Sequence, residues 1–129
     1  MINICLDDQQ GVVYPDGFWH QRPIFSDDVT LYKLVRTCDK CKTILEENRG
    51  NVGILTLDYD LSYADDPGNS GMTILEWLED KVYFEDDLSI CPKVINLHSN
   101  SSTSAREMFS LAKHIAKKAK FEVTMHKLV

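Results

Sequence analysis

The sequence predicts a three-layer α/β domain with a mostly parallel central sheet, and three junctions carry that prediction. Ile54-Leu55-Thr56-Leu57 runs into Asp58-Tyr59-Asp60, Ile2-Asn3-Ile4-Cys5-Leu6 runs into Asp7-Asp8, and Val94-Ile95-Asn96-Leu97 runs into His98-Ser99. Near-continuous apolar runs suit strands covered on both faces, as in a parallel sheet, better than the alternation of a half-exposed strand. In open parallel sheets the ligand crevice lies outside the carboxyl ends of the strands. If the three strands are parallel neighbours, Asp7, Asp8, Asp58, Asp60, His98 and Ser99 converge at one edge. At 129 residues the chain is expected to form one domain, residues 1–129, large enough to bury a core without staples.

The elements follow in order. After the first strand, Tyr14-Pro15-Asp16-Gly17 signals a turn, and Phe18 to Phe25 forms a short extended piece weakened by Pro23. Val29 to Val35 reads as a strand. Thr37 is a plausible N-cap for a helix from about Cys38 to Asn48, with Cys41, Ile44 and Leu45 at helical spacing and Gly50 as the stop. The central strand covers about Val52 to Asp58, and Leu61 to Ser70 is a loop rich in Asp, Gly, Pro and Asn. A helix spans Gly71 to Lys81 with Ile74, Leu75, Leu78 and Val82 as its apolar stripe, and Thr73 with Glu76 has capping-box spacing. Phe84 to Ser89 is an acidic connection. The third junction strand, Lys93 to Leu97, leads through a Ser/Thr tract into a helix from about Ser104 to Lys120. Its inner face carries Ala105, Met108, Phe109, Ala112, Ile115, Ala116 and Ala119, and Ser104 with Glu107 repeats the capping-box spacing. Phe121 to Met125 alternates as the last strand.

Composition narrows the function classes. A formal charge of -6 argues against general duplex DNA binding, which depends on neutralising phosphates with Lys and Arg. No apolar run approaches the length of a membrane span, and the opening Met1-Ile2-Asn3-Ile4 has no basic and hydrophobic signal-peptide pattern, so a cytoplasmic, membrane-free protein is expected. Cys5, Cys38, Cys41 and Cys91 read as reduced thiols. Cys38 and Cys41 have CxxC spacing within a helix but no second pair, which argues against zinc.

At the predicted edge, His98 is a candidate proton donor to a leaving alkoxide, and the tract Ser99, Asn100, Ser101, Ser102 offers hydroxyls and backbone N–H groups at a helix N-terminus, a ready anion site. Asp7, Asp8, Asp58 and Asp60 form an oxygen-only set suited to Mg²⁺. Alternatively the carboxylates act without metal, one with its pKa raised by its neighbours. Because alternate strand residues face opposite sides, a site of two carboxylates is favoured over one of four. Trp19, beside the Pro-Gly turn, is the better candidate for a ligand contact, and Trp77 for packing. Arg106, Lys113, Lys117, Lys118 and Lys120 on the outer face of the last helix read as a solubilising surface.

With these motifs placed, the chain resembles the receiver domains of response regulators, which carry an acidic pair after the first strand, an Asp after the third and a hydroxyl residue after the fourth. Asp7 with Asp8, Asp58 and Ser99 match. It lacks a Met-Pro pair after Asp58, and its fifth strand ends His126-Lys127-Leu128 without Lys-Pro. More specifically, it resembles the receiver-like family that processes cyclic phosphates, found in bacteria and phages and linked to RNA repair. Leu6-Asp7-Asp8, Pro15-Asp16-Gly17-Phe18, Leu57-Asp58-Tyr59-Asp60-Leu61, Gly71-Met72-Thr73-Ile74-Leu75, His98-Ser99 and Met108 occur in that family's order. The resemblance implies a receiver-like, flavodoxin-like fold and a phosphate-ester ligand, a cyclic phosphate of an RNA end or a nucleotide.

Carried over residue by residue, the resemblance implies Asp58, His98 and Asp8 as catalytic residues. Ser99, Asn100, Ser101, Ser102, Tyr59, Gln10 and Trp19 are the positions expected around the substrate, and Asp7, Asp8, Asp58 and Asp60 those expected to hold Mg²⁺. Three positions depart from the family pattern: Gln10 replaces an Arg, Tyr59 a His and Ser101 an Asn. Loss of the Arg removes a bidentate phosphate fork, and Tyr titrates too high to replace His as an acid or base near neutrality. Two readings therefore stand side by side. One is a phosphoesterase; the other is a non-catalytic, phage-encoded protein that sequesters a nucleotide or binds and inhibits a host protein inside the infected cell.

Overall fold

The computed structural model describes residues 1–6, 32–59, 70–99 and 102–127. Within them five strands form one sheet: β1 (Ile2–Leu6), β2 (Tyr32–Val35), β3 (Val52–Asp58), β4 (Val94–Ser99) and β5 (Glu122–Lys127). Their spatial order is β2-β1-β3-β4-β5, with every pairing parallel. This is the flavodoxin-like order of doubly wound sheets, whose switch point falls between β1 and β3. Parallel strands require crossover connections, and among the described residues α1 (Cys38–Glu47) joins β2 to β3, α2 (Gly71–Tyr83) joins β3 to β4 and α3 (Ser102–Ala119) joins β4 to β5. The turn at Tyr14 to Gly17, the extended piece at Phe18 to Phe25 and nearly all of the loop from Leu61 to Ser70 fall outside the described residues.

Local chemistry explains where the helices start and stop. Thr37 is in extended conformation and its hydroxyl accepts from the Lys40 amide, capping α1 as expected. At the other end the Asn48 backbone N–H and side-chain Nδ2 both donate to the Ile44 carbonyl, and Gly50 then turns with φ of 73°, where a side chain would be strained. Two expected capping boxes are corrected. Ser70, not Thr73, caps α2: its Oγ accepts from the Thr73 amide, which puts Thr73 inside the first turn. Likewise α3 begins at Ser102, so Ser104 lies within its first turn and not at its cap.

The acidic connection after α2 is less passive than its composition suggests. It contains a short 3-10 turn, Leu88–Ile90, and Asp87 accepts from Arg49 beyond the end of α1. Partial burial would raise the Asp87 pKa, but hydrogen bonds from Arg49 and Ser89, with the Arg49 and Lys81 charges, outweigh it and hold the carboxyl below its ordinary value. Asp86 pairs with Lys118 of α3 at 2.7 Å, so the connection ties three helices together at their far ends.

The sheet has two chemically different faces. Ile4, Leu55, Ile95 and Val123 are paired across four strands, as are Leu6, Leu57, Leu97 and Met125. These rows pack with Cys41 and Leu45 of α1, Ile74, Leu75, Leu78 and Val82 of α2, and Met108, Ala112 and Ile115 of α3 in one core cluster. Each fully buried aliphatic side chain contributes roughly 1.5–3 kcal/mol. The alternate residues form another row: Cys5, Thr56, Asn96 and Thr124 are Cα partners, and the Thr124 hydroxyl donates to Asn96 Oδ1 at 3.0 Å. Thr56 and Asn96 are buried, yet neither belongs to the aliphatic cluster.

An irregularity between β1 and β3 brings these rows into line. Ile2 pairs with Val52 but Ile4 pairs with Leu55, so β3 holds one extra residue there. The buried Asn3 side chain fills the break, its Oδ1 accepting from the Ile54 amide at 2.9 Å. A Cβ on Gly53 would come within 2.8 Å of that same oxygen, so glycine makes the room. Replacing Asn3 with Leu leaves the Ile54 N–H without its partner, and we expect denaturant unfolding to show a loss of roughly 1–3 kcal/mol. Unchanged stability would mean that Asn3 does not secure the ladder.

Candidate functional site

The carboxyl ends of the strands gather the chemistry that the sequence separates. Asp58, the last residue of β3, is half-buried and is the Cα partner of His98 on β4. Neighbouring strands lie about 4.8 Å apart, so a carboxylate position and an imidazole position are adjacent at this edge. Ser99 follows His98 and ends β4, and Ser102 begins α3 only three residues later. Tyr59 is half-buried and packs against the aliphatic cluster. On the β1 side, Leu6 pairs with Leu57, one residue short of Asp58. Asp7, Asp8, Gln10, Trp19, Asp60, Asn100 and Ser101 lie outside the described residues.

Two helix N-termini are pressed against this edge. A Cβ on Gly71, the first residue of α2, would lie 2.6 Å from the Asp58 carbonyl oxygen and 2.8 Å from Met108 Cε. Only glycine permits that approach, which seats α2 directly on the end of β3. The Cys38 thiol, at the first residue of α1, donates to the Ser70 carbonyl at 3.1 Å and so links the starts of α1 and α2. The CxxC pair is therefore part of the scaffold. Cys41 is fully buried, and burial, with a smaller push from Cys38, drives its thiol pKa far up. All four cysteines are thiols outside any disulfide. Cys91 is likewise pushed up to about 12, chiefly by burial and secondarily by the Asp87 charge, so its thiolate is scarce at neutral pH.

Mg²⁺ prefers oxygen ligands with several retained waters, and the Asp58 carboxylate is chemically suited to it. The other three carboxylates expected to join it lie outside the described residues. Among the described residues, no three His, Cys, Asp or Glu side chains are grouped to hold a metal. Trp77 packs against the core, with Lys42 and Lys81 nitrogens 5.9 and 5.6 Å from its ring centroid, in keeping with the structural role expected of it. A shallow groove lined by Gly50, Cys91, Pro92, Lys93 and Lys120 lies at the amino ends of the strands, opposite Asp58.

Sequence reasoning missed one residue of this edge. His126, near the end of β5, is the Cα partner of His98, and Lys127 is the partner of Ser99. A signal was present: Leu55-Thr56-Leu57-Asp58, Ile95-Asn96-Leu97-His98 and Val123-Thr124-Met125-His126 share one pattern, apolar, small polar, apolar, ionisable. Ile4-Cys5-Leu6-Asp7 is a fourth copy with a thiol at the second place. Treating Phe121 to Met125 merely as a closing strand hid the repeat.

A parallel sheet of this order, with Asp58 and His98 at adjacent register positions of its carboxyl edge, defines a receiver-like α/β protein. The model of the family described as the cyclic-phosphate processing receiver domain matches residues 2–114, and the chain belongs to that family. No curated protein and no solved structure matches the chain significantly. Among the described residues, no helix is long and apolar enough to cross a membrane.

Gly71→Ala tests how tightly the edge is built. We expect it to lower stability by roughly 1–3 kcal/mol, as overpacking does, because the obstructing atom is backbone. Wild-type stability would mean that α2 is free to move away from Asp58.

Proposed function

We propose that this protein binds a phosphate ester at the carboxyl edge of its sheet, a cyclic phosphate of an RNA end or of a nucleotide, and opens the ring by hydrolysis. Membership of the cyclic-phosphate processing family supports the ligand class. The observation that carries the site is the pairing of Asp58 with His98 in adjacent strands. In this reading Ser99, with Asn100, Ser101 and Ser102, cradles the phosphate, since hydroxyls and free N–H groups at a helix start favour an anion. Gln10, Tyr59 and Trp19 line the substrate. His98 gives its proton to the ribose oxygen that leaves phosphorus. Asp58, with Asp7 or Asp8, either takes the proton of the attacking water or, joined by Asp60, holds Mg²⁺. A bound Mg²⁺ would supply charge stabilisation at the phosphoryl oxygens.

Gln10 and Tyr59 favour a second reading, in which the same edge captures a nucleotide without turnover. Incubating the pure protein with RNA ending in a 2′,3′-cyclic phosphate, with Mg²⁺ and with chelator, separates the two. We expect ring opening that falls by about 10²–10⁴-fold in His98→Ala, the usual contribution of a general acid. Binding without opening would establish capture. Neither opening nor binding, with Asp58→Ala and His98→Ala indistinguishable from wild type, would refute both.

A further inference from the structure

We infer that His126 is the second imidazole of this site and acts as its general base, opposite His98 as general acid; the inference rests on the proposed ring-opening reaction. Three observations carry it. First, Asp58, His98 and His126 are Cα partners on three successive strands, so they form one row across the carboxyl edge. Second, the row beneath it is polar where a buried parallel sheet is ordinarily aliphatic: Thr56, Asn96 and Thr124 are registered in the same way, two residues earlier on the same three strands. Third, Thr56 Oγ1 is buried and is, among the described residues, the buried side-chain polar atom without a hydrogen-bond partner. Buried hydroxyls ordinarily have partners. An unpaired one two residues below the row marks a face built for polar occupants.

Chemistry divides the roles. A carboxylate is a weak base near neutral pH, whereas imidazole titrates near 6.5 and serves either as base or, protonated, as acid. His98 already stands as the acid beside Asp58, which leaves the imidazole position one strand further along the same row for the base. In the reaction, His126 takes a proton from water as its oxygen bonds to phosphorus. The bond from phosphorus to one ribose oxygen breaks, and His98 protonates that oxygen. Water and the cyclic diester become a phosphomonoester and a free hydroxyl, and proton exchange with solvent resets both rings. β5 lies beyond residues 2–114, so His126 is outside the segment that the family model matches.

The test compares wild type, His98→Gln and His126→Gln on uridine 2′,3′-cyclic phosphate across pH, and follows the imidazole resonances of wild type by NMR as uridine 2′-monophosphate is added. We expect His126→Gln to lower kcat by about 10²–10⁴-fold and to remove the acidic limb of the pH profile, with His98→Gln removing the alkaline limb. We also expect both imidazole signals to shift with nucleotide. If His98→Gln loses activity while His126→Gln keeps the wild-type rate and both limbs, the inference is overturned and the proposed function stands. If wild type opens no ring, the proposed reaction fails and the NMR arm decides the placement: an unmoved His126 signal removes it from the site, and a joint shift with His98 keeps it there.

Discussion

The register between β1 and β3 is the constraint on which the rest of the molecule depends. Without the extra residue in β3, Ile4 would face Ile54 and Leu6 would face Thr56, and aliphatic and polar positions would be mixed on both faces. A one-residue slip in a sheet turns every side chain of a strand to the opposite side. Asn3, Gly53 and the Ile54 amide together absorb the irregularity. Beyond that point the ladder is regular from Leu55 to Asp58, and its partners on β4 follow without a break.

That alignment divides the sheet into an aliphatic face and a more polar one. The aliphatic rows bury their side chains against three helices, and the helices are held in turn at both ends. At the carboxyl edge the Cys38 thiol and Gly71 bring α1 and α2 against the end of β3. At the other end Arg49, Asp87, Asp86 and Lys118 pair across the turns. These surface pairs are worth little individually. Their value is in fixing the connection between α2 and β4, which leaves Asp58 and His98 on rigid elements. Groups carried by strands keep their spacing better than groups on loops, and acid–base chemistry depends on that spacing.

Much of this was legible in the sequence. Apolar runs ending in acidic or hydroxyl residues gave β1, β3 and β4 and the edge they share, and Thr37 and Gly50 marked α1 because capping and left-handed turns require specific residue types. The start of α2 at Gly71 was read correctly but its cap was assigned to Thr73 instead of Ser70, and the start of α3 was placed two residues late, because only backbone geometry distinguishes a cap from a first turn. The bulge in β3 opposite Asn3 showed locally only as a glycine inside a strand, Gly53, and its partner could not be read because it arises from the pairing of strands some fifty residues apart. His126 was missed for the same reason: its place beside His98 comes from strand pairing, which brings together residues that sequence distance keeps apart.

Backbone proton NOEs between neighbouring strands test the account most directly, because they report register without depending on activity. We expect contacts joining Asp58 to His98 and His98 to His126, together with the corresponding set from Thr56 through Asn96 to Thr124. Contacts displaced by one residue, such as Asp58 to Leu97 or His98 to Met125, would place the carboxylate and the imidazoles on opposite faces and contradict the account.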